Sequence, residues 1–186
     1  MPTGTRGDAV PDGEGPASAA RDVPGKGMNF QEDRPRFVCD VHLGKLARFL
    51  RLLGFDTVYR NDLEDEEIVL LARSEGRLAL TRDGGILADR TIRTYRPGSI
   101  VPEEQLRDLL EVFRLRETCR PFSRCLDCNG DVEPVEREAV IARVPPRSGR
   151  IVKAFWQCRG CGKIYWHGSH YDRMRQRLAG WGIPVV

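Results

Sequence analysis

Two C-x2-C pairs constrain this chain more than any other feature. Cys125 and Cys128 form one pair and Cys158 and Cys161 the other, with 29 residues between Cys128 and Cys158. Four thiolates delivered as two knuckles suit tetrahedral Zn²⁺, and Gly130 and Gly162 sit where the backbone must turn around the sulfurs. Four cysteines leave no coordination position for water, so the expected zinc role is structural. A redox dithiol pair or an iron-sulfur cluster is the other chemistry open to this spacing. Cys39 reads as a buried strand residue and Cys119 as a loop thiol.

The 186 residues allow one domain of ordinary size plus a small module. Residues 1–34 hold six glycines, four prolines and only five large apolar residues, too few to offset the entropy of ordering, so they are expected to form a disordered leader. The chain shows no signal-peptide core and no run of about 20 apolar residues. The expectation is a soluble, cytoplasmic protein with no membrane contact, in which six cysteines serve as ligands or free thiols rather than disulfides. Residues 136–186 carry ten Lys/Arg against three acids, so the +3 of the whole chain leaves the front part acidic. A basic tail suits a polyanionic partner, although a solvated basic surface has the same composition.

Upstream of the cysteines, strands alternate with helices. "RFVCDV" is a short apolar strand carrying Asp40. In the next stretch Leu43, Leu46, Ala47, Leu50 and Leu53 recur at helical spacing before Gly54. "DTVYR" resumes a strand, and "NDLEDEEIVLLARSEG" is a helix with Asp62 as expected N-cap, an acidic first turn, apolar Ile68, Leu71 and Ala72, and Gly76 as its stop. "RLALTRD" is the third strand. A further strand is expected within 95–101, then a helix presenting Leu106, Leu109, Leu110 and Phe113. This alternation predicts parallel βαβ units with helices on both faces, in which ligands bind beyond the carboxyl ends of the strands.

Asp40 and Asp83 end two such strands, and Asp65 opens the second helix across a short loop. If these three converge within a few ångströms, they need a cation, and hard oxygen ligands favour Mg²⁺ or Mn²⁺. A cation so held can activate water and neutralise charge on a phosphodiester. Glu66, Glu67 and Asp89 are additional candidates. Each acid also has a plainer reading: Asp65, Glu66 and Glu67 complement a helix dipole, and Asp83 starts a turn before Gly84 and Gly85. Lys45, Arg48 and Arg51 form a stripe on the first helix where a substrate phosphate could dock, although a charge run on a helix is commonly a solvated face. Arg82 points to the opposite side of its strand. Around the second knuckle Phe155, Trp156, Tyr165 and Trp166 alternate with basic residues including Arg143, Arg147, Arg150, Lys153, Arg159 and Lys163, a mixture that can stack bases and track phosphates of single-stranded nucleic acid. At least half of those rings are expected in the small core of the ribbon. His167 and His170 are assigned to the surface or to RNA contact.

In order, "FVCDVHLGKLARFLRLLGFDT", "DEEIVLLARSEGRLALTRD", "SRCLDCNG" and "CGKIYWHGSHYDRM" resemble the PIN-like ribonuclease domain with an appended zinc ribbon, named after the C-terminal part of the mutator-type exonuclease. The resemblance implies a three-layer α/β/α sandwich over 35–118, a zinc ribbon and C-terminal tail over 119–186, and metal-dependent cleavage of RNA assisted by the ribbon. By position, Asp40 matches the first-strand acid, Asp65 the acid opening the "DEE" helix and Asp83 the acid of "TRD"; Asp89 is the nearest candidate for a fourth. RNA is the implied partner, with ribosome or tRNA as further expectations. Some relatives carry a ubiquitin-like domain in front, where this chain has a short leader. Two rival functions remain: a non-catalytic RNA-binding or ribosome-associated module, and a toxin-like nuclease controlled by a partner protein.

Overall fold

The strands predicted from the alternation are short and apolar on both faces, a pattern that demands cover from two sides. A computed structural model describes residues 34–185, and that cover is present. Strand β1 (Phe37–Cys39) leads through a 3₁₀ turn at Val41–Leu43 into helix α1 (Gly44–Leu52), followed by β2 (Thr57–Val58), α2 (Asp65–Glu75), β3 (Leu78–Leu80), α3 (Gly84–Ala88), β4 (Thr94–Tyr95) and α4 (Pro102–Val112). The four strands form one parallel sheet in the order β2-β1-β3-β4, with Phe37 opposite both Thr57 and Leu78.

The alternation of side chains along the strands creates the layers. Phe37, Cys39, Leu78 and Leu80 join Leu46, Leu50, Leu106 and Leu109 in the larger core, on the side of α1 and α4. Val38 and Ala79 point the other way and join Ile68 and Ala72 of α2. Helix on sheet on helix is the result, as the sequence implied.

Local departures from the sequence reading have local causes. The strand expected within 95–101 stops at Tyr95, because Pro97 offers no N–H and Gly98 follows it. The N-cap of α2 is Glu64, not Asp62: Glu67 Oε2 accepts the Glu64 N–H at 3.3 Å, while Asp62 pairs with Arg60 at 3.1 Å. Residues 137–151 contain helices α5 (Arg137–Val140) and α6 (Pro146–Ile151), whose neighbourhood packs Val140 and Val144 against Phe155. The expected leader lies outside the described residues except for Arg34, which donates to the carbonyls of Gly54 at 2.7 Å and Thr118 at 2.9 Å.

Beyond residue 118 an antiparallel sheet forms from β5 (Val132–Val135), β6 (Phe155–Cys158) and β7 (Ile164–Trp166), followed by helix α7 (Ser169–Gly180). The sheets are separate, yet the chain returns: Leu178, Trp181 and Ile183 are buried in the same core as α1 and α4. The backbone at 119–123 is stitched to the end of α1, with the Arg120 N–H donating to Leu53 O at 2.9 Å and the Phe122 N–H to Leu52 O at 3.0 Å. Gly54 makes that approach feasible, because its φ is +84° and a Cβ there would lie 2.1 Å from Arg120 O.

Candidate active site and zinc centre

Parallel pairing of β1 with β3 brings the residues that follow them to one rim of the sheet, and Asp40 and Asp83 are both there. Asp40 is only 3% exposed, so its carboxylate must be satisfied internally. Oδ2 accepts from the Thr81 hydroxyl at 2.6 Å and from the Arg82 N–H at 2.8 Å, and Oδ1 from the His42 N–H at 2.8 Å. Asp83 is the N-cap of α3: its Oδ1 accepts from Gly85 N–H at 2.7 Å and Ile86 N–H at 3.2 Å. Its turn duty is therefore real, and it leaves Oδ2 free of any partner among the described residues. Thr81, fully buried, ties the two acids together, since the same hydroxyl oxygen that donates to Asp40 accepts the Asp83 N–H at 2.9 Å.

Asp65 begins α2 and is exposed. Its carboxyl is pushed above the ordinary range, first by partial desolvation and then by the charges of Asp83, Glu66 and Asp40, with His42 opposing them. The charges of Asp83 and Asp40 thus reach Asp65 across the rim, while among the described residues the four cysteines are the only group able to hold a metal ion by the closeness of its ligand atoms.

The other acids divide. Glu66 is exposed beside Asp65 and adds to its field. Glu67 is drawn away by Arg60, whose guanidinium donates to both carboxylate oxygens at 2.8 and 3.1 Å, so its expected place near a cation is revised. Asp89 is revised as well. Its Oδ1 accepts from the N–H and hydroxyl of Thr91, and Arg73 stands 3.6 Å from Oδ2, so its charge is met locally.

Of the basic stripe, Lys45 and Arg48 are exposed but Arg51 is not. Arg51 is 4% exposed, and its guanidinium donates to the carbonyls of Thr57 at 2.9 Å, Tyr59 at 3.3 Å, Leu126 at 3.2 Å and Asp127 at 2.8 Å. The expectation that it docks phosphate is corrected: the docked ribbon covers it, and it fastens the first knuckle to the sheet. Arg48 and Lys163, expected on separate surfaces, meet at Asp127, at 3.6 Å and 2.5 Å. Arg159 pairs with Glu133 across the ribbon. Arg82 lies beyond the end of β3 at Leu80, and its guanidinium donates to Ser99 O at 3.0 Å.

The cysteine cluster has the shape zinc requires. Tetrahedral ligands with Zn–S bonds near 2.3 Å stand about 3.8 Å apart. Cys125 Sγ lies 3.6 Å from Cys161 Sγ, and Cys128 Sγ 3.3 Å from Cys158 Sγ. Gly130 keeps this space clear, since a Cβ there would meet Cys158 Sγ at 2.9 Å. Burial alone would raise the Cys125 thiol, but hydrogen bonds from the Tyr165 hydroxyl, 3.0 Å away, and from backbone N–H groups outweigh it and hold the thiol below its ordinary range. Neither His167 nor His170 belongs to the cluster. His167 is instead stacked between Trp156, at 4.6 Å between centroids, and Tyr171, at 3.9 Å. Phe155 is buried and Trp166 packs against its cluster, so part of the aromatic set is core.

Residues 35–178, which contain the parallel sheet and the four-cysteine ribbon, match the family model described as the Mut7-C RNAse domain. The chain belongs to the Mut7-C RNAse domain family. No curated protein and no solved structure matches it. Membership makes this Mut7-C chain one of a nuclease family with RNA as substrate class. Among its described residues no helix is long and apolar enough to cross a membrane. Sequence reasoning missed Thr81 and His42. A Thr two residues before a strand-end acid was a visible signal; the nearness of His42 to two acids was not.

Proposed function

We propose that this Mut7-C chain is a metal-dependent ribonuclease in which Asp40, Asp65 and Asp83 hold a divalent cation, Mg²⁺ or Mn²⁺, while Cys125, Cys128, Cys158 and Cys161 hold structural Zn²⁺. The observation that carries this reading is the delivery of Asp40 and Asp83 to one rim by the parallel pairing of β1 with β3, with Asp65 opening α2 beside them, its carboxyl raised by partial desolvation and by their charge. Negative charge gathered without a protein cation to match it invites an external one. A hard ion that keeps several of its waters needs few protein ligands. When bound, such an ion supplies charge neutralisation at a phosphodiester and activation of water.

The chain itself contributes placement. Asp40 is immobilised by three hydrogen bonds, Asp83 is pinned at the first turn of α3, and Asp65 projects from α2 with solvent access. Lys45, Arg48 and Lys163 are exposed cations available to the RNA backbone, with Arg159 further along the ribbon.

Labelled single-stranded and structured RNA incubated with the zinc-loaded protein in Mn²⁺ should be cleaved. Cleavage should stop in EDTA and fall at least a hundredfold with Asp83→Asn. One observation favours a rival, a non-catalytic RNA-binding module: among the described residues only the four cysteines form a group able to hold a metal ion. Retained RNA binding with no metal-dependent cleavage would establish that rival instead.

A further inference from the structure

We propose that the row of rings Trp156, His167, Tyr171 and Phe122 is a stacking site for unpaired bases of single-stranded RNA, an incoming base extending the row on the open face of Trp156. The proposal rests on the reading above for its substrate class and needs nothing of the acidic rim.

The rings come from separate places in the chain. Trp156 lies in β6, His167 follows β7, Tyr171 belongs to the first turn of α7, and Phe122 precedes the first knuckle. Centroids stand 4.6 Å apart from Trp156 to His167 and 3.9 Å from His167 to Tyr171, with the planes tilted by only 21° and 16°. Phe122 meets Tyr171 at 4.6 Å and 42°. In the large core the ring pairs Phe37–Phe55, Phe49–Trp181 and Tyr95–Phe113 meet edge to face instead, at 63° to 85°. Face-to-face rows therefore belong to this surface and not to the interior.

Core packing does not account for the row. Phe122 packs against the large core, but Trp156 and Tyr171 join no apolar cluster among the described residues, and His167 is exposed. One end is closed and the other is open. Trp156 is half-buried, its second face has no ring partner among the described residues, and its cross-strand neighbour Pro134 is exposed.

Charge selects the occupant. Helix α7 carries Arg173, Arg175 and Arg177 against Asp172 alone. Arg173 and Arg175 are exposed and form no ion pair among the described residues, and Arg175 stands over the Tyr171 ring at 5.9 Å. Guanidinium groups beside a stacking face match a strand in which phosphates alternate with bases. Every base has a π-face, so such a site tolerates any sequence, whereas paired bases have their faces covered already. The plainer alternative is that the row merely staples α7 to the ribbon.

The test uses the zinc-loaded full chain without added Mg²⁺ or Mn²⁺. Fluorescence anisotropy follows binding of a labelled single-stranded RNA, the same strand in a duplex, and an abasic strand of equal charge. Trp156→Leu should weaken the single strand about tenfold, the scale of one lost stacked base, and the other two by less than about threefold. Trp156→Phe should recover most of the loss. Ultraviolet crosslinking of thiouridine-containing RNA to the unaltered protein, read by peptide mass spectrometry, should mark Trp156 and needs no variant. Equal weakening of all three nucleic acids, or undiminished binding with no crosslink at Trp156, overturns the proposal and leaves the row a staple. Cleavage in Mn²⁺ alongside either result leaves the ribonuclease reading standing, while base-dependent binding at Trp156 with no cleavage removes that reading and keeps the stacking site.

Discussion

The cysteine centre and the acidic rim are both candidate ion sites, and they are assembled in opposite ways. At the ribbon each pair of cysteines comes from one tight knuckle, so short-range spacing sets most of the geometry and the sulfurs stand within 4.8 Å of one another. At the rim each acid comes from a different element, and only the parallel pairing of β1 with β3 brings Asp40 and Asp83 to the same edge. A closed cluster of soft ligands is built to retain its ion. An open arrangement of hard ligands leaves room for water and substrate.

The two regions are nevertheless mechanically joined, and the largest predicted effect follows. The first knuckle is clamped by Arg51 from α1, and Asn129 receives the Thr57 N–H at 2.9 Å while donating to Asp56 at 2.6 Å. Cys125→Ser or Cys158→Ser should therefore lower the melting transition of the whole protein, with loss of zinc, by several kcal/mol. Calorimetry of the variant would show one shifted transition. An unchanged α/β transition beside a lost ribbon would show the two regions to be independent.

Arg51→Ala should come next, at about 3 kcal/mol by urea denaturation, since it leaves buried carbonyls without a charged donor. Arg51→Lys should rescue little, because an ammonium cannot span four carbonyls on two elements. Arg48→Ala, one helical turn away and 57% exposed, should change stability by less than about 0.5 kcal/mol while weakening RNA binding. The pair separates a structural arginine from a surface one on the same helix.

At the rim, Thr81→Val keeps the shape of the side chain but deprives Asp40 of a donor and Asp83 N–H of its acceptor. A cost of about 2 kcal/mol is expected, with RNA cleavage reduced more than tenfold; Thr81→Ser should restore both.

What was legible in the sequence follows the same division. The clustering of the four cysteines and the apolar faces of α1, α2 and α4 could be read from spacing, because knuckles and helices are local. The parallel sheet could be read from the order of elements. The orientation of charged side chains could not. Arg51 shares the stripe of Lys45 and Arg48, and only the docking of the ribbon makes its position interior. Asp89 and Glu67 looked like members of the acidic set until Arg73 and Arg60 claimed them, across 16 and 7 residues respectively. Helix α7 and the residues after it read as a tail because their few large aliphatic and indole side chains, Met174, Leu178, Trp181 and Ile183, gain meaning only from the core they return to.

The smallest effect distinguishes the two regions by sign. Asp56 lies under the docked knuckle: burial would raise its carboxyl, but hydrogen bonds from Arg77 and Asn129 outweigh this and hold it below its ordinary value of 3.8. Its folded form binds protons less readily than the unfolded chain, so its contribution to stability is complete above that value and is lost as the pH falls through the lower folded one. Asp65 has the reverse shift. Between 3.8 and its raised folded value the native state holds the proton more firmly, so its contribution is present at low pH and is lost as the pH rises. In the cation-free protein at neutral pH, Asp65→Asn should therefore raise the melting temperature slightly, whereas Asp56→Asn should lower it, and saturating Mn²⁺ should cancel the advantage of the first variant by stabilising only the unaltered rim. Thermal melts of both variants with and without Mn²⁺ read this directly: a gain at the knuckle dock, or none at the rim, would mean that the rim does not carry the uncompensated charge assigned to it.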